Sequence, residues 1–197
     1  IPVGSNDMCN SLRLCSGFLT HEECYSLIAK YKNQKLQKSL TTSPGDPHSK
    51  SKTSSENRPL DSLDCDYLKS KVSEKLNWSY QCIENPHFIR YQQGNEYKLH
   101  YDDFPPIMFY MKSIAEINQL ESRGNRIATA LLYLNEEFKG GETEFPMNDY
   151  RIVPKTGLLA SWHNIDRNGD RIEQSLHSGL KILSGTKYII GFHLREY

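Results

Sequence analysis

No stretch of this chain approaches the roughly 18 consecutive apolar residues that a membrane-spanning helix needs, so it reads as lacking such a span. Neither sign of charge is in excess: Lys plus Arg and Asp plus Glu each total 24 in 197 residues. A balanced surface offers no basic stripe for nucleic acid. There is no phosphate-binding glycine loop, no G-x-S-x-G elbow and no internal repeat. Cysteine is confined to the first half, at Cys9, Cys15, Cys24, Cys65 and Cys82, with no C-x-x-C pair. The odd number leaves at least one thiol without an intrachain partner. Asn77-Trp78-Ser79 is a formal glycosylation sequon, yet the chain opens at Ile1 rather than Met, so the lack of a leader carries no weight. A secretory setting in the endoplasmic reticulum and a cytoplasmic one both stay open, as does the oligomeric state.

What is present fits one domain over residues 1–197, large enough for a proper core. Residues 1–80 read as a helical N-terminal part. Thr20 and Glu23 form a capping box, and Cys24, Leu27, Ile28 and Tyr31 follow at helical spacing. A second helical pattern runs from Leu60 to Trp78, with Leu63, Tyr67, Leu68, Val72 and Leu76 expected on its buried side. Between the two, residues 37–59 are polar and nearly devoid of apolar side chains, which suits a surface loop or a lid. From Tyr80 onward the pattern turns to short strands punctuated by Gly, Pro and Asn, expected at 82–91, 95–102, 126–135, 142–145, 150–153, 157–162, 174–178 and 186–195. Many short strands with turn signals point to a sandwich or barrel. The run from Phe104 to Asn125, with Met108, Phe109, Met111, Ile114, Ile117 and Leu120, is expected to form a helix or to pack over a site.

Chemistry concentrates in Tyr97-Lys98-Leu99-His100-Tyr101-Asp102. On a strand, His100 and Asp102 project from one face. His177, in Ser175-Leu176-His177-Ser178-Gly179, is the candidate for a third ligand. Two histidines and a carboxylate on one side of an ion leave three positions open, a pattern suited to non-haem Fe(II) that must bind a co-substrate and O₂. Ten residues past His177, Lys187 opens the otherwise apolar run Tyr188-Ile189-Ile190-Gly191-Phe192. A buried lysine needs an anion beside it. Asp166-Arg167-Asn168-Gly169-Asp170 has a faint look of a calcium loop but lacks the downstream bidentate glutamate, and reads as a turn.

The spacing of H-x-D, a distal histidine and a lysine ten residues on resembles the Fe(II)/2-oxoglutarate-dependent dioxygenases, and among them the prolyl 4-hydroxylase branch. The flanking words agree. Arg90-Tyr91-Gln92-Gln93-Gly94-Asn95-Glu96-Tyr97-Lys98-Leu99-His100-Tyr101-Asp102 looks like R-Y-x-x-G-x-x-Y-x-x-H-x-D. Thr129 to Leu134, followed by Gly140-Gly141-Glu142-Thr143-Glu144-Phe145-Pro146, resembles T-x-x-x-Y-L and G-G-E-T-x-F-P. Ser175 to Gly179 with Gly185-Thr186-Lys187-Tyr188 resembles S-L-H-A-G and G-x-K-W. Ser51-Lys52-Thr53-Ser54-Ser55 is similar to a word on the family's mobile substrate loop. The likeness is close from about Glu84 to the C-terminus and looser before it.

The resemblance implies a mainly β fold with flanking N-terminal helices (α+β), a double-stranded β-helix or jelly roll whose core spans 81–197. It implies Fe(II) on His100, Asp102 and His177, 2-oxoglutarate held by Lys187 with the hydroxyls of Tyr97 and Thr129, O₂ as oxidant and ascorbate as reductant. The implied reaction is hydroxylation of peptidyl proline, with oxidative decarboxylation of 2-oxoglutarate to succinate and CO₂. A peptide or a small molecule is the implied partner. The same chemistry on a free amino acid, or a non-catalytic jelly roll that binds metal or ligand, are the alternatives. Tyr91 and Glu84 match positions on the substrate side. Two positions depart from the family: His193 stands where Trp is usual and Arg195 where His is usual. Both alternate onto the pocket side with Lys187, so His193 is expected to line the substrate floor rather than bind metal. A guanidinium at Arg195 without a partner predicts a substrate carrying a carboxylate near the hydroxylated carbon.

Overall fold

Among the described residues, each of the two α-helices begins at a side-chain cap. In the computed structural model, which describes residues 11–39, 53–104 and 122–197, α1 (His21–Tyr31) starts at Thr20, and both bonds of the Thr20–Glu23 capping box are made. The second helix, α2 (Ser62–Leu76), is capped by the Asp61 carboxylate on the Asp64 N–H and ends at Asn77, in the left-handed conformation. Its buried face is Cys65, Leu68, Lys69, Val72 and Leu76. Leu63 and Tyr67, expected inside, are 79% and 46% exposed. The sheet beneath selects the Cys65–Leu68–Val72 stripe, and Lys69 is accommodated by laying its ammonium 4.3 Å from the centre of the Tyr80 ring. Cys9, His48, most of the polar loop and the Met108–Leu120 cluster lie outside the described residues. Cys15, Cys24, Cys65 and Cys82 are free thiols.

The strands are β1 (Arg13–Cys15), β2 (Gln37–Lys38), β3 (Glu56–Pro59), β4 (His87–Tyr91), β5 (Tyr97–His100), β6 (Arg126–Tyr133), β7 (Phe138–Gly140), β8 (Thr143–Phe145), β9 (Tyr150–Ile152), β10 (Leu159–His163), β11 (His177–Gly179), β12 (Ile182–Gly185) and β13 (Lys187–Arg195). A seven-stranded sheet has the order β1-β10-β6-β13-β4-β3-β2, and a four-stranded sheet the order β5-β11-β8-β9; β12 and β7 form a separate ribbon. All pairings are antiparallel. The architecture is the jelly roll that the strand pattern and the resemblance imply, with both helices against the outer face of the larger sheet. Strands β2, β3, β7 and β12 were not in the expected set. The first two close the ends of the polar loop onto the sheet edge, where Gln37 pairs with Asn57 and Lys38 with Glu56. Polar edge strands carry no hydrophobic alternation, so periodicity misses them. The expected 82–91 strand begins only at His87, and Cys82 ends a 3-10 turn, Tyr80–Cys82.

Alternation along β13 builds two cores at once. Ile190, Phe192 and Leu194 face the helices, packing with Leu27, Ile28, Leu68 and Val72. Ile189 faces the second sheet, packing with Tyr133, Phe145, Trp162 and Ile182. On that same inner face, at the positions of like parity, are Lys187, His193 and Arg195. The β9–β10 connection lies against the start of α1, where Phe18 N donates to Gly157 O at 2.9 Å. Gly157 has φ +77°, and a Cβ there would fall 2.1 Å from Leu19 O, so no other residue fits this crossing. Among the described residues no helix is long and apolar enough to cross a membrane.

Candidate active site

The inner face of the smaller sheet brings His100 and His177 opposite one another. They are direct partners in the β5–β11 register, and their ring centroids are 4.2 Å apart. Asp102 lies two residues past His100, beyond the end of the strand. Its Oδ1 is 3.4 Å from His100 Nε2 and its Oδ2 is 3.5 Å from His177 Nε2. One donor atom from each of the three residues lies within 4.8 Å of the others. The tautomers follow from the second nitrogens. His100 Nδ1 is 2.7 Å from Lys98 O and His177 Nδ1 is 2.8 Å from Ser175 O. A carbonyl only accepts, so each Nδ1 carries the proton and each Nε2 presents a lone pair to the centre.

The electrostatics keep this donor set ready. Burial, and then the neighbouring His100, push the His177 imidazole down to about 4, so it is neutral near pH 7. Burial alone would raise Asp102, but His177 and His100 hold its carboxyl well below the usual carboxylate range. Aromatic rings fix the imidazoles. Tyr97 stacks on His100 with centroids 3.6 Å apart, and Trp162 stands edge-on to His177 at 4.9 Å. Trp162 Nε1 is buried without a hydrogen-bond partner among the described residues.

Lys187 sits in a second buried niche, on the inner face of the larger sheet. It is 3% exposed, and its Nζ donates to Gly141 O at 2.6 Å. The Tyr91 and Tyr133 ring centres lie 5.5 and 5.4 Å from the ammonium. Gly141, at φ +74°, is required here: a Cβ would fall 2.4 Å from Ile182 Cδ1 and 3.3 Å from Lys187 Cδ. Burial pushes the Lys187 ammonium down to about 7, and the charge of Glu142 opposes the shift.

Residues 86–195 match the family described as the 2OG-Fe(II) oxygenase superfamily. This chain belongs to that superfamily. The oxygenase is 29% identical over 198 residues to prolyl 4-hydroxylase 2 of Arabidopsis thaliana, covering 87% of this chain and 62% of the relative. It is 30% identical over 129 residues to prolyl 4-hydroxylase subunit alpha-1 of Bos taurus, covering 66% of this chain and 23% of that one. It thus spans under two thirds of the plant relative and about a quarter of the bovine one. The viral collagen prolyl hydroxylase of Paramecium bursaria Chlorella virus-1, solved with 2OG, superposes with TM-score 0.71 at 26% identity, covering 95% of this chain and 97% of that one.

The superfamily's chemistry uses Fe(II), 2-oxoglutarate and O₂. The donor set here fits such an ion: two imidazole Nε2 atoms and an ionised carboxylate converge, and the Trp162 ring, its N–H without a partner among the described residues, stands edge-on to His177. A separate cleft of about 460 Å³, lined by Trp78, Ile127, His163 and Arg167, contains none of these ligands.

Several of the residues expected around the oxygenase's centre take other places. Thr129 was expected to meet the co-substrate. Its Oγ1 instead donates to Asp102 Oδ2 at 2.7 Å, and it accepts from Asn164 Nδ2 at 3.0 Å. A hydroxyl has one hydrogen, and here Asp102 takes it. Tyr91, expected on the substrate side, is paired with Lys187 in the β4–β13 register and walls the lysine niche. The largest correction concerns Arg195. It is 1% exposed, with its Nε 2.6 Å from Glu84 Oε1 and its Nη1 donating to Gly124 O at 2.8 Å. The same Glu84 carboxylate is gripped by Arg126 through Nε at 2.9 Å and Nη2 at 3.0 Å. Burial alone would raise Glu84, but Arg126, with His193 and Arg195, holds it down at about 2. Arg195 therefore already has its carboxylate, and the argument for an acidic substrate loses its premise.

His193 is where the alternation puts it, in a row with Thr129 and Trp162 across β13, β6 and β10. Burial, then Arg126, push its imidazole down to about 4, and its Nδ1 has no partner among the described residues. Sequence reasoning did not find Arg126, Asn164 or Trp162. Arg126 was findable: it lies three residues before Thr129 at the start of a strand already assigned to the site.

The Lys187 niche makes a pH-dependent prediction. Without an anion the lysine titrates near 7; a bound carboxylate stabilises the charged form and raises that value. Below pH 7 the site is already charged. Above it, binding must take up a proton, so affinity for 2-oxoglutarate falls by up to about tenfold per pH unit. Calorimetry with Mn(II) replacing Fe(II), in buffers of different ionisation enthalpy, should show uptake approaching one proton at pH 8.5 and little at pH 6. Equal heats in all buffers at pH 8.5 would remove Lys187 from the co-substrate site.

Proposed function

We propose that this chain is a prolyl 4-hydroxylase acting on proline in peptides, with Fe(II), 2-oxoglutarate and O₂, and ascorbate as reductant. The observation that carries the reading is the convergence of His100, Asp102 and His177 donor atoms within 4.8 Å, in a jelly roll that also buries a lysine on its inner face. Proline as the target is supported by the plant and bovine relatives, named prolyl 4-hydroxylases, and by the viral collagen prolyl hydroxylase structure.

Fe(II) held by His100, Asp102 and His177 would supply, with 2-oxoglutarate and O₂, the oxidative decarboxylation to succinate and CO₂ that hydroxylates an unactivated C–H. The chain's residues prepare that chemistry. Lys98 O and Ser175 O hold the protons of both imidazoles on Nδ1, leaving Nε2 as the ligand atom. Thr129 and Asn164 orient the Asp102 carboxylate. Lys187 offers a buried cation to the far carboxylate of 2-oxoglutarate, a charge-assisted contact strengthened by exclusion of water. Tyr97 keeps the His100 ring flat against it. On the substrate side, Glu84 locks Arg126 and Arg195 into one charge-paired cluster with His193 beside it, a fixed wall for a neutral peptide.

Succinate release tests the reading. With Fe(II) and 2-oxoglutarate, a proline-rich peptide should stimulate turnover several-fold over the peptide-free rate, and free proline should not. Stimulation by free proline alone would transfer the chemistry to an amino acid. No turnover under any condition would leave a binding module.

A further inference from the structure

Asp102 and Asp103 are consecutive carboxylates, and only one of them meets the two imidazoles. Strand β5 ends at His100, so no sheet register decides which. The decision falls to side chains. Asp103, its side chain 1% exposed, points into a fork made by Arg171: Nε lies 3.0 and 3.1 Å from the two carboxylate oxygens and Nη2 3.1 Å from Oδ2. The same guanidinium covers the Tyr101 ring at 4.0 Å, and Tyr101 Oη donates to Glu173 Oε2 at 2.6 Å. The residues on either side of the metal-facing carboxylate, Tyr101 and Asp103, are thereby both held by Arg171.

Arg171 can serve as an anchor because its own turn is braced. Asp166 N donates to Asp170 O at 2.8 Å, and Ile172 N to Asn164 O at 2.9 Å. The Asp166 carboxylate accepts from Asn168 N at 2.8 Å and Asp170 N at 3.0 Å. The Asp166 carboxylate, which helped give the turn its calcium-like look, is thus spent on holding it together. The turn leads through Glu173–Ser175 to His177, whose Nδ1 is anchored on Ser175 O. Asn164, at the turn's base, reaches Asp102 from the other side through Thr129. A closed circuit results: Asp102, Asp103, Arg171, the turn, Asn164, Thr129 and back to Asp102.

We propose that Arg171 is a positioning residue for the metal site: by capturing Asp103 in a bidentate fork it selects Asp102 as the ligand and sets its distance from His177. The inference rests on the iron-site reading above. Outer-shell partners of metal ligands are worth about 10–100-fold in metal affinity, and a fork that fixes the backbone beside a ligand belongs to that class.

The test is Mn(II) affinity, read by electron paramagnetic resonance on the full chain, with thermal denaturation alongside. Arg171→Gln removes the fork and is expected to weaken Mn(II) binding about 10–100-fold and to broaden the bound-metal signal. Arg171→Lys keeps the charge and packs similarly but offers only a point contact; it should fold like wild type and fall between the two. Arg151→Gln, at the exposed Arg151–Glu144 pair, should leave binding unchanged. Wild-type affinity that depends on His177 yet is unmoved in both Arg171 variants would overturn this inference alone. Wild-type protein that binds no Mn(II), or binding that survives His177→Ala, would overturn the iron-site reading and this inference with it.

Discussion

Replacing His177 or Asp102 with alanine is expected to abolish Fe(II)-dependent succinate formation, a loss of well over about 10²-fold, because a direct ligand matters more than the outer-shell partners that cost 10–100-fold. The fold should survive. His177 is neutral and boxed by Trp162, Phe145 and His100, so its removal leaves a small cavity in a framework held by the β11 pairings. Asp102 is a buried charge in the metal-free protein, and removing it relieves a desolvation cost there while destroying the ion's only carboxylate from the triad. Circular dichroism of the metal-free variants should match wild type, while Mn(II) should stabilise only the wild-type protein against heat. A variant with near-normal turnover would mean that its residue is not a ligand.

Lys187→Ala is expected to raise the 2-oxoglutarate requirement about 10²–10³-fold or more. A broken buried ion pair costs about 3–5 kcal/mol, and each 1.4 kcal/mol is about tenfold. Among the described residues the lysine's hydrogen bond goes to Gly141 O, a neutral acceptor, and burial has already pushed it down to about 7. Both facts describe a cation held in reserve for an anion. The Fe(II) requirement should move much less, because Lys187 is not among the three converging donors. Titrations of 2-oxoglutarate and Fe(II) on the same preparation separate the two effects. An unchanged 2-oxoglutarate curve would exclude the lysine from co-substrate binding.

The parts of this site legible in the sequence are those encoded locally. His100 and Asp102 are two residues apart, and that H-x-D spacing marks the candidate ligand pair even though β5 ends at His100. Lys187, His193 and Arg195 share a face by β-strand parity, and the Thr20–Glu23 box announces α1 within four residues. What the sequence hid depends on contacts between distant segments. Arg195 looked like an unpartnered charge because its neighbour Glu196 alternates to the other side of the chain; its carboxylate, Glu84, arrives from the segment before β4. Thr129 looked available because its acceptor, Asp102, arrives from the segment after β5, on the facing side of the fold. The α2 face was misjudged because Leu63 and Tyr67 are as apolar as Leu68 and Val72, and only the sheet beneath decides between neighbouring stripes. The Asp166–Asp170 turn was read correctly as a turn, but its Arg171 became meaningful only once Asp103 lay against it.

The most direct test of the central claim is to count two products in one reaction. Purified protein, Fe(II), 2-oxoglutarate, ascorbate and a proline-rich peptide are incubated in air, and succinate and peptidyl 4-hydroxyproline are quantified together by mass spectrometry. Coupled hydroxylation predicts that the two rise together in a one-to-one ratio, and that both vanish in Asp102→Ala. Succinate that forms at the same rate with and without peptide, and leaves the peptide proline unmodified, would contradict it.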